Sequence, residues 1–448
     1  MPKLGLISLG CAKNLVDSEH MLSLMRDAGW EITEDMSEAD VGVVNTCGFI
    51  EAAKTEAIET ILETAQYKQT GSMKGLVVTG CLVQRYADEM RSELPEIDVL
   101  CGTGSYDNIV DAANAALKGQ QAAYMADMTA AALDGGRSRL TPSYTAYFKI
   151  AEGCSNTCAY CIIPKLRGRY RSREMASLLE EARALSDAGV KELIVIAQDI
   201  TKYGMDLPEH KRLLPELLRE LCKMDFTWIR LHYLYPDQIT DELIDVIAEE
   251  PKIVKYLDIP LQHVSKRILR AMHRPGDGAE FTALIEDMRR RIPGLVLRTS
   301  LIVGLPGETD DEFAELCEFL QNAAIERVGV FEYSPEEGTR GAAMPDQVPE
   351  EVKLERTQRL IDLTEQLGFA AAERHVGERV RVIIDGVEEG PDGAEFIGHA
   401  WFQAPDSDGV VHIESGDLAV GDVVTCNLVD SFTYDLVGEL VDDEEGTR

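Results

Sequence analysis

Gly153-Cys154-Ser155-Asn156-Thr157-Cys158-Ala159-Tyr160-Cys161 sets three cysteines in a CxxxCxxC spacing just past a strand candidate at 146–151. A 4Fe-4S cluster needs thiolates on a short, irregular loop, so that three sulfurs converge on three irons. Three cysteines leave the fourth iron open to a small-molecule ligand. A zinc knuckle would want CxxC pairs with a fourth Cys or His close by, and none stands in this loop.

The strand before the loop is the first of six candidates, at 146–151, 192–197, 228–234, 254–260, 295–303 and 327–333. Helical patterns near 174–188, 213–224, 241–250, 265–273, 278–291 and 310–323 follow in turn, the last opened by a capping box of Thr309 and Glu312. Six β/α units without a closing pair predict a partial TIM-like barrel within 143–375, and a further helix at about 350–374 leads out. Barrel active sites lie at the carboxyl ends of the strands, where the cysteine loop stands.

Upstream, residues 1–120 alternate short apolar runs with amphipathic stretches. The runs are Leu4 to Ser8, Val41 to Asn45, Leu76 to Thr79 and Ile97 to Leu100; the stretches are 14–28, 50–66, 82–93 and 106–117. This predicts a parallel sheet with helices on its faces. Cys11, Cys47 and Cys81 each follow one of the first three runs. All carboxyl ends of a parallel sheet share one edge, so three thiols more than thirty residues apart would converge there. That geometry can hold a second cluster. Chance burial of cysteine is the competing explanation. Cys101 follows the fourth run and is expected to pack as a small apolar residue rather than serve as a spare ligand. Cys222, Cys317 and Cys426, within helices and a strand, are expected in cores.

Residues 121–142, polar and rich in Gly and Ala around Asp134-Gly135-Gly136, suggest a linker. From 376 to 448 the pattern turns to strands only, at 378–387, 394–402, 409–414, 422–429 and 432–440, which outlines a small antiparallel β-barrel. The 448-residue chain carries 44 Lys and Arg against 79 Asp and Glu, a net of −35. Its last segment alone has eighteen acids against three Arg and no Lys, a net of 3 minus 18, or −15. Such charge argues against nucleic acid as substrate and favours a basic partner. No apolar run approaches the length of a membrane helix, and the start lacks a secretory signal, so a cytoplasmic, membrane-free protein is expected. Ten cysteines are too dilute for a disulfide scaffold.

The cysteine loop after a first barrel strand resembles the radical S-adenosylmethionine (SAM) superfamily, in which SAM's amino and carboxylate groups chelate the open iron. More specifically, Leu9-Gly-Cys11-Ala-Lys-Asn-Leu-Val-Asp-Ser-Glu19, Asn45-Thr-Cys47-Gly-Phe-Ile-Glu51, Thr79-Gly-Cys81, Gly153 to Pro164 and Arg167-Gly-Arg169 resemble the methylthiotransferases. The likeness spans essentially the whole chain. It implies an auxiliary 4Fe-4S cluster on Cys11, Cys47 and Cys81, a SAM cluster on Cys154, Cys158 and Cys161, and a C-terminal TRAM barrel. One branch of the family modifies adenosine in transfer RNA; the other modifies an aspartate of small-subunit ribosomal protein twelve. Lys13 to Glu19, Cys47-Gly-Phe-Ile and Tyr256 to His263 resemble the second, although Ala12 stands where that branch usually shows Pro. The resemblance implies that a 5′-deoxyadenosyl radical takes hydrogen from the aspartate β-carbon, which then receives a methylated sulfur. A reductant protein and a sulfur donor are implied partners. An iron-sulfur electron carrier, the alternative from another class, has little use for six β/α units.

Beyond the cysteines, Tyr160 occupies the aromatic position where the family places the adenine. Glu308, in Gly304-Leu-Pro-Gly307-Glu308, belongs to a loop resembling one that lines the SAM site. Gln198 and Asp199, ending the second barrel strand, are placed to meet SAM on positional grounds. Lys165, Arg167, Arg169, Arg171 and Arg173 form a basic run that could orient the substrate carboxylate, or could make rim salt bridges instead. No GxSxG, Walker A or HExxH signature is present.

Overall fold

The computed structural model describes residues 1–130, 133–390, 393–405, 407–414 and 417–441. Residues 131–132 of the expected linker and 442–448 at the end of the expected C-terminal barrel lie outside the described residues.

The N-terminal sheet is wholly parallel. It contains β1 (Lys3–Ser8), β2 (Glu31–Thr33), β3 (Val41–Thr46), β4 (Gly75–Gly80), β5 (Val99–Cys101) and β6 (Ala122–Tyr124), in the order β2-β1-β3-β4-β5-β6. The sequence pattern anticipated four strands. The two it missed are short edge strands, too brief and too exposed to carry a hydrophobic signature, and β6 falls within the expected linker. β3 and β4 are buried at every position, as continuous apolar runs are when helices cover both faces.

The central domain holds β7 (Thr145–Lys149), a two-residue β8 (Ala151–Glu152) paired with β9 (Arg171–Ser172), and then β10 (Glu192–Ile196), β11 (Trp228–Leu231), β12 (Ile253–Asp258), β13 (Val296–Val303) and β14 (Arg327–Glu332). β7, β10, β11, β12, β13 and β14 pair in chain order, all parallel, and β14 does not close onto β7. The result is an open six-stranded barrel. The capping box at Thr309 and Glu312 is formed.

A closed five-stranded barrel follows, from β15 (Arg379–Gly390), β16 (Gly393–Ala400), β17 (Val411–Ile413), β18 (Val423–Ser431) and β19 (Leu436–Leu440). Its pairs are antiparallel except β17 with β19, which run parallel and so correct the expectation of a purely antiparallel barrel. Its core is shared with Tyr144, Trp228, Val254, Tyr256 and Val296, most of them at the amino ends of the central strands. The small barrel therefore closes the bottom of the large one, leaving the carboxyl ends to face the N-terminal sheet. No helix among the described residues is long and apolar enough to cross a membrane.

Candidate active site

The loop that carries Cys154, Cys158 and Cys161 is pinned from several sides. Gly153 sits at φ 75°, and a Cβ there would fall 2.3 Å from the Arg169 carbonyl, so only glycine lets the chain pass under that strand. The Cys154 amide then donates to the Gly168 carbonyl at 3.1 Å, and the Ala159 amide to the Met272 carbonyl at 2.9 Å. The Asn156 amide donates to the Cys154 sulfur at 3.4 Å. Its side-chain amide donates to Asp199 at 3.3 Å. The Tyr235 hydroxyl lies 3.1 Å from the Cys158 sulfur, and the Arg274 guanidinium lies 4.1 Å above the Tyr235 ring. Burial pushes the Cys161 thiol up to about 12 and raises Cys154, so neither ionises in water's absence without a cation to bind.

The second triad assembles at the carboxyl edge of the N-terminal sheet. β1, β3 and β4 are neighbours, with Ser8 in register with Asn45, Asn45 with Thr79 and Thr46 with Gly80. Cys47 and Cys81 therefore leave adjacent strands side by side. Gly10, at φ 87°, brings Cys11 in: a Cβ at Gly10 would stand 2.7 Å from the Cys47 Cβ. Asn14 fastens this edge, donating to the Leu9 carbonyl at 2.9 Å and the Thr46 carbonyl at 3.0 Å. Burial pushes the Cys81 thiol up to about 12 and raises Cys47. At Cys11 burial is outweighed by the charges of Lys13 and Arg167, and the thiol falls below its ordinary value. Cys11 is accessible to solvent although dense protein surrounds it, which places it on the wall of a cleft. Cys11, Cys47 and Cys81 are thus brought to one edge of the sheet, with no harder donor among the described residues between the strands that carry them.

A buried ionic network joins the two triads. Arg167 lies 2.9 Å from Asp17 and 3.0 Å from Glu152, and it also donates to Asn14. Lys149 lies 2.9 Å from Glu152 and pairs with Asp17. Glu152 accepts the Gly153 amide at 2.9 Å and the Gln198 side-chain amide at 2.9 Å. Burial works against the Glu152 charge, yet Arg167 and Lys149 hold its carboxyl well below the usual range.

These contacts place the remaining sequence candidates. Gln198 belongs to the network through its amide, while its buried carbonyl oxygen has no hydrogen-bond partner among the described residues. Tyr160 packs with Ile268, Met272, Leu305 and Tyr333 beside the loop. Glu308 is held by protein: one oxygen accepts the Gly304 amide at 2.9 Å and the other accepts Arg356 at 2.8 Å, so its carboxylate shapes the Gly304–Gly307 turn. Asp199 caps the turn at 200–202 and braces Asn156. Of the basic run, Lys165 donates to the Gly338 carbonyl, Arg171 to the Met128 and Thr129 carbonyls, and Arg173 pairs with Asp134 and Glu181. The run is thus spent mainly on contacts within the protein, and among the described residues no such bond of the exposed Arg169 is formed. Cys101 packs in the N-terminal core, its thiol 3.0 Å from the Ser105 carbonyl. Asn14, Asp17, Glu152, Tyr235 and Arg274 escaped the sequence reading. Asn14 and Asp17 lie within the quoted Lys13–Glu19 stretch, which was the one available signal.

Family profiles match residues 3–102 (Uncharacterized protein family UPF0004), 148–320 (Radical SAM superfamily) and 376–441 (TRAM domain). Among solved structures, the radical SAM methyltransferase TsrM from Kitasatospora setae, with tryptophan and a SAM analogue bound, superposes with a TM-score of 0.57 at 15% identity, covering 88% of this chain and 80% of that one. At that identity the likeness is one of fold. Fold and cysteine loop together define a radical SAM enzyme, and such enzymes bind SAM and a 4Fe-4S cluster. The ribosomal protein uS12 methylthiotransferase RimO of Lachnoclostridium phytofermentans is 49% identical, covering 97% of this chain and 99% of its own. That of Citrifermentans bemidjiense is 48% identical, covering 98% of both. The chain belongs to this RimO family of radical SAM methylthiotransferases.

Proposed function

We propose that this chain adds a methylthio group to the β-carbon of an aspartate in ribosomal protein uS12, with one 4Fe-4S cluster on Cys154, Cys158 and Cys161 and a second on Cys11, Cys47 and Cys81. The observation that carries the reading is the convergence of Cys11, Cys47 and Cys81 on one sheet edge, bound through Arg167 and Glu152 to the Cys154 loop. The near full-length likeness to uS12 methylthiotransferases supports the substrate. So does the charge of residues 376 to 448, which suits a basic protein and repels a phosphate backbone.

An unactivated methylene has no acidity for a general base to exploit, so bound SAM and the clusters supply the radical and sulfur chemistry. The chain's residues supply ligation and placement. Tyr235 and Arg274 brace Cys158, Asn156 and Asp199 brace Cys154, and Asn14 brings the three strand ends together. A cytoplasmic reductant protein and a sulfur donor complete the reaction.

The test is incubation of the reconstituted chain with SAM and reductant, separately with uS12 and with transfer RNA. A methylthio mass increase on a uS12 aspartate is expected. Methylthiolated transfer RNA with unmodified uS12 overturns the substrate, and absence of 5′-deoxyadenosine in both points to an electron carrier.

A further inference from the structure

The end of β11 touches both halves of the cleft within three residues. Tyr235 meets Cys158, and Tyr233, two residues earlier, lies under Lys13, whose ammonium stands 3.3 Å from the Tyr233 ring centroid. Lys13, two residues after Cys11, thus contacts the same segment that carries the Tyr235 hydroxyl to Cys158. Tyr233 holds a left-handed backbone at φ 66°, rare for an aromatic residue and concentrated at functional sites. Its amide donates to Asp258 at 3.2 Å, which fixes that conformation.

Lys13 is buried, with 8% of its surface exposed, and no carboxylate among the described residues lies within ion-pair distance of it. The other buried lysines behave otherwise: Lys149 is 2.9 Å from Glu152, and Lys353 is 2.6 Å from Glu350. Asp258, whose carboxyl feels the Lys13 charge, is already taken by Arg298 at 3.0 Å and by the Tyr233 amide. Lys13 also stands in the first turn of the helix Ala12–Asp27, where the helix dipole disfavours a cation. A desolvated ammonium that faces the Tyr233 ring and the Cys11 thiol, with no carboxylate of its own, is suited to take a carboxylate from outside the chain.

Resting on the uS12 reading above, we infer that the Lys13 ammonium binds the side-chain carboxylate of the substrate aspartate and so sets its β-methylene between Cys11 and Cys158. The basic run at 165–173, mostly engaged in rim contacts, is not needed for that role. The pairing also gives the site a means to tell aspartate from asparagine, since only the former brings a charge to neutralise Lys13.

The test uses the reconstituted enzyme and two peptides of uS12, one with the target aspartate and one with asparagine in its place. The wild type should bind the aspartate peptide at least tenfold more tightly. Lys13→Met should lose that preference while keeping its iron and sulfide content and its affinity for the asparagine peptide. Lys13→Arg should retain the preference. A Lys13→Met protein that still prefers aspartate overturns the inference and leaves the uS12 reading standing. A wild type without the preference overturns it as well, whatever the variants do. A wild type that modifies transfer RNA and neither binds nor modifies the peptides overturns the uS12 reading and the role of Lys13 with it.

Discussion

The Arg167 guanidinium lies 2.9 Å from the Asp17 carboxylate, and both side chains are withdrawn from solvent. Asp17 belongs to the helix that follows Cys11, and Arg167 follows the Cys154 loop, so this pair couples the two thiol triads mechanically. A buried pair gains little over a well-packed apolar pair, yet removing one partner strands the other. Arg167→Met should therefore cost about 3–5 kcal/mol, with Asp17 and Glu152 left uncompensated. Chemical denaturation checks the loss. Adding Asp17→Asn to Arg167→Met should recover part of it, because the two sites share a partner network.

Iron content separates two clusters from one. On the proposed reading each triad holds a cluster of about four irons, so the wild type should hold about eight after reconstitution. Replacing Cys11, Cys47 and Cys81 by alanine should leave about four, and replacing Cys154, Cys158 and Cys161 should also leave about four. SAM cleavage should survive only in the first variant. Iron and sulfide assays with SAM-dependent 5′-deoxyadenosine release check both statements.

The placement of three cysteines at strand ends and three in one loop was legible because each reports its position through a local pattern: a strand immediately before it, or a fixed spacing in one loop. The alternation of strand and helix placed all six central strands for the same reason. The network was not legible. Arg167 and Asn14 are 153 residues apart, and no periodicity or spacing in one sequence marks such a pairing. The basic run from Lys165 to Arg173 shows the cost of proximity reasoning. Its members are close in sequence, yet they face different elements: Asp17 and Glu152 for Arg167, Glu181 and Asp134 for Arg173, a backbone carbonyl for Lys165. Glu308 was singled out from a loop motif, while its carboxylate is bound by the turn and by Arg356, a partner on a distant helix.

Tyr235 should tune the cluster on the Cys154 loop. Its hydroxyl is 3.1 Å from the Cys158 sulfur, and once that sulfur is a thiolate the hydroxyl can only donate. Hydrogen bonds to cluster sulfurs are among the determinants of reduction potential, and donation stabilises the more negative, reduced state. Tyr235→Phe should retain its iron and lower the midpoint by roughly tens of millivolts. A redox titration followed by electron paramagnetic resonance measures it. An unchanged midpoint with iron retained would remove the hydroxyl from this role.

His399 gives the docking of the C-terminal barrel a pH dependence. One ring nitrogen lies 2.9 Å from Glu192, at the amino end of β10, and the other lies 2.7 Å from Asp385. Arg230 pairs with the second oxygen of Glu192 at 2.8 Å, Tyr144 donates to Asp385 at 2.9 Å, and Trp228 packs edge-on against the ring. Burial opposes protonation, but the two carboxylates prevail and raise His399 to about 9. Glu192 is held down to about 2, since Arg230 and His399 outweigh its burial. A histidine raised on folding contributes its full stabilisation below its ordinary value near 6.5 and loses it as pH climbs through about 9. Each unit of pH in that window is worth up to about 1.4 kcal/mol, so the loss should be about 3 kcal/mol. The wild type should therefore unfold at progressively lower denaturant between pH 6.5 and 9.5, whereas His399→Gln, less stable at pH 6.5, should change little across the same range. Equal slopes for the two proteins would show that protonation of His399 does not contribute to holding the small barrel against β10.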